Sequence, residues 1–252
     1  MIHLEDSVRE LQEAERRKRP IRPLTDTEPE LSVATAYQIQ RRLVGLRLDA
    51  GERLIGAKLG LTSAAKQQEM GVGQPIYGLL TDAMRGEPRL ARMIHPRAEP
   101  EIALVIGREL RGPASVEEIL EATRAVAPAI EIIDSRYDGF RFQLPDVIAD
   151  NASAARFVLG EERPLADLPA LPLIGCVLTV DGAVHATAAG AAVMDDPGLA
   201  AAWLLERLAE HGESLAPGSV VLTGGLTEAV ALEPGMVVRA EFDRLGTVEV
   251  RA

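Results

Sequence analysis

The sequence predicts an α+β fold. Two helical segments come first, short β-like runs are grouped from residue 53 onward, and only two further helices interrupt them, which is unlike regular βαβ alternation. Ile2 to Arg19 and Ser32 to Ala50 carry helical periodicity. In the second, Ser32 is the candidate cap, and Val33, Ala36, Ile39, Leu43 and Leu46 recur at helical spacing. Pro20, Pro23 and Pro29 punctuate the connection. The β-like runs are Arg53 to Leu61, Glu99 to Ile106, Ala129 to Ile133, Leu171 to Val180, Ser219 to Thr223, Val237 to Phe242 and Thr247 to Arg251. Ser115-Val116-Glu117-Glu118 has capping-box spacing and opens a helix toward Val126. The last helix, Pro197 to His211, begins after Asp195-Asp196, stops at Gly212 and offers Leu199, Trp203, Leu204 and Leu208 for packing. No segment rich in Gly, Ser or Pro separates two apolar blocks. Residues 1–50 are therefore expected to form a helical arm packed on the same domain as the β-rich catalytic body at 51–252.

Bulk properties narrow the function. Hydrophobic residues make up 47% and charged residues 26% of the 252, a globular balance far from that of disorder. The net charge of -11 argues against a nucleic-acid surface, because phosphate binding draws on clustered Lys and Arg. The one basic run, Arg16-Arg17-Lys18-Arg19, follows Glu13 and Glu15 and reads as a solvated helix end. Cys176 is the sole cysteine, so neither an intrachain disulfide nor a Cys-based zinc site can be built; its apolar surroundings predict a buried, inert thiol. No stretch approaches the ~20 apolar residues of a membrane span, and the first residues lack a signal-peptide pattern, so a cytoplasmic location is expected.

The residues with chemical potential are acids in apolar settings. Strand alternation in Glu99-Pro100-Glu101-Ile102-Ala103 sends Glu99 and Glu101 to one face, where like charges repel unless a cation or protons intervene. Glu131 stands between Ile130 and Ile132. Three carboxylates without a convergent Cys or His suit a hard, oxygen-preferring ion such as Mg²⁺ or Mn²⁺. The same spacing also suits edge-strand glutamates paired with Arg97 or Arg136, and both readings stand at this level. Lys58 lies in the otherwise uncharged run Leu54 to Leu61. There it either steers a substrate carboxylate or moves a proton, burial lowering its pKa, or it snorkels to solvent. Asp150-Asn151-Ala152-Ser153 and Thr223-Gly224-Gly225 read either as anion-binding donor clusters or as plain turns. Of the histidines, His3, His185 and His211 are expected at the surface, and His95 is the one near the glutamates.

Taken in order, Lys58-Leu59-Gly60-Leu61-Thr62-Ser63, Met70-Gly71-Val72, Pro75-Ile76-Tyr77-Gly78 and His95-Pro96-Arg97-Ala98-Glu99-Pro100-Glu101-Ile102-Ala103 resemble the hydratase/decarboxylase branch of the fumarylacetoacetate hydrolase superfamily. Ile133-Asp134-Ser135-Arg136-Tyr137, Ala149-Asp150-Asn151-Ala152-Ser153, Ala189-Gly190-Ala191-Ala192-Val193 and Thr223-Gly224-Gly225-Leu226-Thr227 are most similar to the branch's 4-oxalocrotonate (2-oxo-3-hexenedioate) decarboxylases. The likeness runs from about Leu31 to Ala252.

This resemblance implies a mixed β-barrel or β-roll with flanking helices, and Mg²⁺ or Mn²⁺ held by Glu99, Glu101 and Glu131. It implies catalytic roles for Lys58, Asp150 and Ser153, and substrate contacts from Leu59, Thr62, Ser153, Thr223 and Gly224. The activity implied is loss of CO₂ from 2-oxo-3-hexenedioate to give 2-hydroxypenta-2,4-dienoate, in the meta-cleavage route of aromatic degradation. The alternatives are the branch's 2-oxopent-4-enoate hydratase and a non-catalytic partner subunit of that hydratase. A C–C hydrolase of the same fold is disfavoured, because no His–acid pair is evident to activate water. A small 2-oxo dicarboxylate substrate, a homo-oligomer and a complex with the pathway hydratase are the expected partners. Two departures bear on substrate detail: Asp195-Asp196-Pro197 stands where Gly-His-Pro or Asn-His-Pro is expected, and Gly73 replaces a residue that is often polar.

Overall fold

A computed structural model describes residues 4–63, 67–68 and 72–252. Ile2, His3, Met70 and Gly71, all named above, lie outside the described residues. Helix α1 (Leu4–Arg17) buries Val8, Leu11 and Ala14 against α2 (Val33–Asp49), whose Ala36, Ile39 and Leu43 complete the seam. Ser32 caps α2 as its position predicts, its hydroxyl accepting from the Thr35 N–H at 3.1 Å. The buried Gln40 side chain ties α2 to the body by donating to the Tyr77 carbonyl at 2.8 Å and the Ile148 carbonyl at 3.1 Å. The basic run at the end of α1 is exposed, and Arg16 and Arg17 pair with Glu13.

The body is a seven-stranded mixed sheet. Its strands are β1 (Leu54–Gly60), β2 (Ile76–Thr81), β3 (Arg97–Ile106), β5 (Thr123–Ile133), β6 (Ala154–Leu159), β10 (Val220–Leu222) and β11 (Val230–Ala231). They run in the order β2-β1-β10-β3-β5-β6, with β11 beside β3; β1 and β10 are parallel and the other pairs antiparallel. A second sheet has the order β13 (Gly246–Arg251), β12 (Val237–Phe242), β7 (Gly175–Val180), β8 (Ala183–Ala189). β4 (Leu110–Arg111) and β9 (Ser214–Leu215) form a small ribbon.

Alternation along β3 decides the layering. Ile102, Leu104 and Ile106 join the main core with the second sheet, α3 (Val116–Ala122) and α5 (Pro197–Ala209), while α4 (Leu144–Ala149) packs with α2. Ala103 instead faces a cluster with Ala127, Ala129 and Phe157 on the concave side.

Three sequence expectations change. The helix from Ser115 keeps its capping box but ends at Ala122, and the chain passes directly into β5, which begins at Thr123 and not at Ala129. Pairing of β5 with nearly the whole of β3 outweighs the weak helical preference of Val126. Leu171–Leu173 forms a 3₁₀ turn around Pro172, so the run Leu171 to Val180 becomes a strand only at Gly175. Helix α5 is capped by Asp196 as expected, but Leu199, expected in the packing, is 45% exposed. Cys176 is buried, and burial pushes its thiol up to about 12. His185 and His211 are exposed, and the His95 ring bonds the Ser135 carbonyl at 2.8 Å, a structural position. Among the described residues no helix is long and apolar enough to cross a membrane.

Candidate active site

The register of β3 and β5 sets Glu99 directly opposite Glu131, and the period of two places Glu101 on the same face. One carboxylate oxygen from each of the three lies within 4.8 Å of the others. All three residues are buried, Glu101 and Glu131 completely. Small side chains at Ala103 and Ala129 leave room on this concave face. Across it reaches Lys58 from β1, whose Nζ lies 2.9 Å from Glu131 Oε2 and donates to the Ala152 carbonyl at 3.2 Å. Lys58 and Glu131 are three strand steps apart, about 14 Å in a flat sheet, so this contact depends on the sheet's strong curl.

The charges are crowded together in a buried setting. Burial, with Glu131 beside it, pushes Glu101 well above the ordinary carboxylate range; burial also raises Glu131, against the pull of Lys58. For Lys58, burial disfavours the ammonium, but the fields of Glu131, Glu101 and Glu99 outweigh it and raise its pKa. This reverses the lowering expected from burial alone: Lys58 is held protonated. Glu101 Oε1 and Glu131 Oε1 are buried with no donor among the described residues. Oxygen-only ligands, buried and short of donors, fit a hard divalent cation. Among the described residues the rival pairing does not occur, for Arg97 makes no ion pair with these glutamates and Arg136 pairs with Asp150.

A cavity of about 580 Å³ opens over this cluster, walled by Lys58, Gly60, Glu99, Ser153 and Gly225, with Ile133, Phe140, Phe142, Val147 and Leu226 supplying apolar surface. Ser153 reaches the wall through a run of three non-glycine residues, Asn151 (φ 53), Ala152 (φ 51) and Ser153 (φ 57), in the left-handed region. That turn aims the Ala152 carbonyl at Lys58. Asn151 anchors it to β2, accepting from the Leu79 N–H at 2.8 Å and donating to the Leu79 carbonyl at 2.9 Å.

Several sequence candidates sit elsewhere than expected. Asp150 does not face the cavity. Its carboxylate is fully buried, paired with the Arg136 guanidinium, and accepts from the Ser153 hydroxyl at 3.2 Å and the Ser135 hydroxyl at 3.4 Å. It holds the wall from behind and is not itself part of the cavity lining. Leu59 alternates away from Lys58 into the main core. Thr62 packs against Gly224, and the Thr223 hydroxyl donates to the Ile102 carbonyl at 2.8 Å. The Gly224 N–H does meet an anion, Glu101 Oε2 at 2.8 Å, so it steadies the acid cluster from behind. Gly224 has φ +121, which favours glycine, and a Cβ at Gly225 would stand 2.7 Å from the Glu99 carboxyl carbon and displace that carboxylate. Ser63, Arg97, Phe140 and Thr227 also line the cavity. Of these, Arg97 was legible from alternation, since it shares a strand face with Glu99.

The model for the fumarylacetoacetate (FAA) hydrolase C-terminal region matches residues 80–252. The chain belongs to the fumarylacetoacetate hydrolase family. Within that family it is 44% identical over 223 residues, 86% of each chain, to a 4-oxalocrotonate decarboxylase from Pseudomonas sp.. It is 42% identical over 245 residues, 94% of this chain and 93% of the other, to a 2-keto-4-pentenoate hydratase of Burkholderia vietnamiensis (strain G4 / LMG 22486). Among solved structures, the 4-oxalocrotonate decarboxylase from Pseudomonas putida G7, complexed with magnesium and adipate, superposes with a TM-score of 0.94 at 35% identity, covering 100% of this chain and 98% of that one. The curled sheet with flanking helices is thus the fumarylacetoacetate hydrolase fold that the sequence motifs predict.

Proposed function

We propose that the protein is a metal-dependent carboxy-lyase that converts 2-oxo-3-hexenedioate to 2-hydroxypenta-2,4-dienoate and CO₂. The observation that carries the reading is the convergence of Glu99, Glu101 and Glu131 with a protonated Lys58 at one cavity. The full-length similarity to decarboxylases supports the choice of reaction. Glu99, Glu101 and Glu131 would hold Mg²⁺ or Mn²⁺. When bound, such an ion supplies Lewis-acid stabilisation for negative charge on the substrate's 2-oxo oxygen.

In this substrate the departing carboxylate is joined to the 2-oxo group through the C3–C4 double bond. As the C5–C6 bond breaks, its electron pair forms C4=C5, the π pair moves to C2=C3, and the charge arrives on the 2-oxygen. Lys58, held as an ammonium by its three carboxylate neighbours, donates a hydrogen bond and then a proton to that oxygen, which yields the dienol. Phe142, Val147 and Leu226 keep water from the reacting carbons. Ser153 shapes the wall, its hydroxyl directed by Asp150. The contribution of Asp150 is positioning, and the parts of Leu59, Thr62, Thr223 and Gly224 lie in packing and in supporting Glu101.

The test is to add Mg²⁺ to metal-stripped protein with 2-oxo-3-hexenedioate and follow CO₂ together with the ultraviolet absorbance of the product. Mg²⁺-dependent CO₂ release is expected, and it should vanish in Glu99→Gln and Glu131→Gln. The 42% identity to a hydratase favours one second reading. Absence of CO₂ with Mg²⁺-dependent loss of 2-hydroxypentadienoate would move the protein there, and activity appearing solely with a hydratase partner would make it a subunit. The reading places the enzyme in the cytoplasm, where a lone buried Cys176 stays reduced, as a homo-oligomer able to join the pathway hydratase.

A further inference from the structure

Arg97 has no role in the chemistry above, yet its setting is unusual. It lies on β3 two residues before Glu99 and so faces the same cavity, displaced along the strand by about 6.8 Å. Its guanidinium carbon sits 4.1 Å from the centre of the Phe140 ring. An aromatic face beneath an arginine fixes the plane of the fork and leaves its N–H edges free for a planar acceptor. Among the described residues, no carboxylate lies within ion-pairing distance of it, although Glu99 and Glu228 line the same wall. A half-buried arginine resting over an aromatic ring in a cavity wall, without a carboxylate of its own among the described residues, is a site for one supplied from outside.

We propose that Arg97 is the subsite for the second carboxylate of a dicarboxylate ligand, and so sets selectivity for dicarboxylates over monocarboxylates. The inference rests on the reading that the 2-oxo end of the substrate lies at Glu99, Glu101 and Glu131. The backbone offset between Glu99 and Arg97 is on the scale of a six-carbon chain, which suits a far carboxylate reaching the guanidinium across the shared cavity. Such an ion pair is formed in the ground state and dissolves as the carboxylate becomes neutral CO₂. Its removal therefore weakens binding more than it slows turnover.

The test uses Mg²⁺-saturated protein and two saturated ligands that cannot undergo the vinylogous decarboxylation, 2-oxoadipate and 2-oxohexanoate, which differ at the terminal carboxylate. Calorimetry on the wild type is expected to show about tenfold tighter binding of 2-oxoadipate. Arg97→Met should erase that ratio by weakening 2-oxoadipate alone, and Arg97→Lys, a point charge without the fork, should restore part of it. With 2-oxo-3-hexenedioate as substrate, the loss in Arg97→Met should fall on KM more than on kcat. A preserved ratio in Arg97→Met, or equal weakening of both ligands, overturns the proposal. If Arg97→Met does not fold, a wild-type ratio retained in Arg97→Lys with a lengthened, unforked contact overturns it equally. Because the ratio is read without turnover, the two claims separate. A protein that keeps the Arg97-dependent ratio but releases no CO₂ loses the reaction and keeps the subsite; CO₂ release with no Arg97-dependent ratio does the reverse.

Discussion

Replacing Glu101 by Gln should stabilise the metal-free protein while abolishing its response to Mg²⁺. Two unit charges 4.8 Å apart, the limit of the glutamate cluster, repel by about 3.5 kcal/mol at an effective dielectric constant of 20. Protonation caps this cost. Burial and Glu131 raise Glu101 well above its ordinary range, so the folded state holds this proton to higher pH than the unfolded state does. At about 1.4 kcal/mol per pH unit above an ordinary carboxyl pKa near 4.3, the cost at pH 7 is at most ~3.7 kcal/mol. Gln carries no such cost and its amide oxygen still accepts from the Gly224 N–H.

A gain of about 3 kcal/mol corresponds to ~6–12 °C in melting temperature for a chain of this size. The sign with pH follows from the raised pKa: stability is fully present below the unfolded-state value and is lost as pH rises toward the folded-state value. The gap between the metal-free proteins should therefore widen from pH 5 to pH 7. Mg²⁺ at about one hundred times its Kd should then add ~2.7 kcal/mol to the wild type and nothing to the variant. Thermal melts with EDTA and with Mg²⁺ read all of these. A metal-free Glu101→Gln protein no more stable than the wild type, or a gap constant from pH 5 to 7, would refute the electrostatic account of the site.

Lys58→Met should lower CO₂ release by about a hundredfold or more, as expected for a lost general acid, and calorimetry should show tighter Mg²⁺ binding because a competing cation 2.9 Å from Glu131 is gone. Asp150, pushed by burial from its ordinary 3.8 to about 6 despite Arg136, takes up a proton as pH falls through that value and loses an acceptor for Ser153. Turnover should fall on the acid side with a midpoint near 6, and Asp150→Asn should flatten that limb at a lower plateau. A raised carboxyl favours the fold at low pH, so this limb is not unfolding, and melting curves recorded alongside will separate the two. Gly225→Ala sets a Cβ 2.7 Å from the Glu99 carboxyl carbon and should weaken Mg²⁺ binding about tenfold or more, measured by titration, with the melting temperature of the metal-free protein little changed.

What was legible in the sequence follows the range of the interactions involved. Ser32 and the Ser115–Glu118 capping box act over three residues and form as read, and the helix read to begin after Asp195-Asp196 starts at Pro197. Alternation in β3 was enough to put Glu99 and Glu101 on one face. The start of β5 at Thr123 was hidden, because it depends on register with a strand far along the chain. The same holds for Lys58: its local run suggests burial alone, and the raised pKa comes from acids on two other strands. Thr223-Gly224-Gly225 was readable as a donor cluster for an anion, but that the anion is Glu101 depends on how β10 is seated beside β3. Asp150 and Leu59 were misplaced for a similar reason: a motif marks a neighbourhood, and the direction of each side chain is fixed by the turn at Asn151–Ser153 or by strand alternation.

The charge balance of the site explains why a divalent ion suits it. Three carboxylates are buried on a face lined by alanines, too deep for water to screen their repulsion well, and the Lys58 ammonium stands 2.9 Å from one of them. The protein can relieve that repulsion by protonating Glu101, which costs stability, or by accepting a dication with Lys58 still charged. The second route leaves a less negative floor under the cavity, onto which a 2-oxo acid would bring its own negative charge. Under the proposed function Lys58 would have two competing acceptors, Glu131 and the substrate oxygen. A cation held by the glutamates would weaken the first and free the ammonium to donate toward the substrate as charge develops there. The same side chain would then act as counter-ion to the glutamates and as proton donor to the substrate.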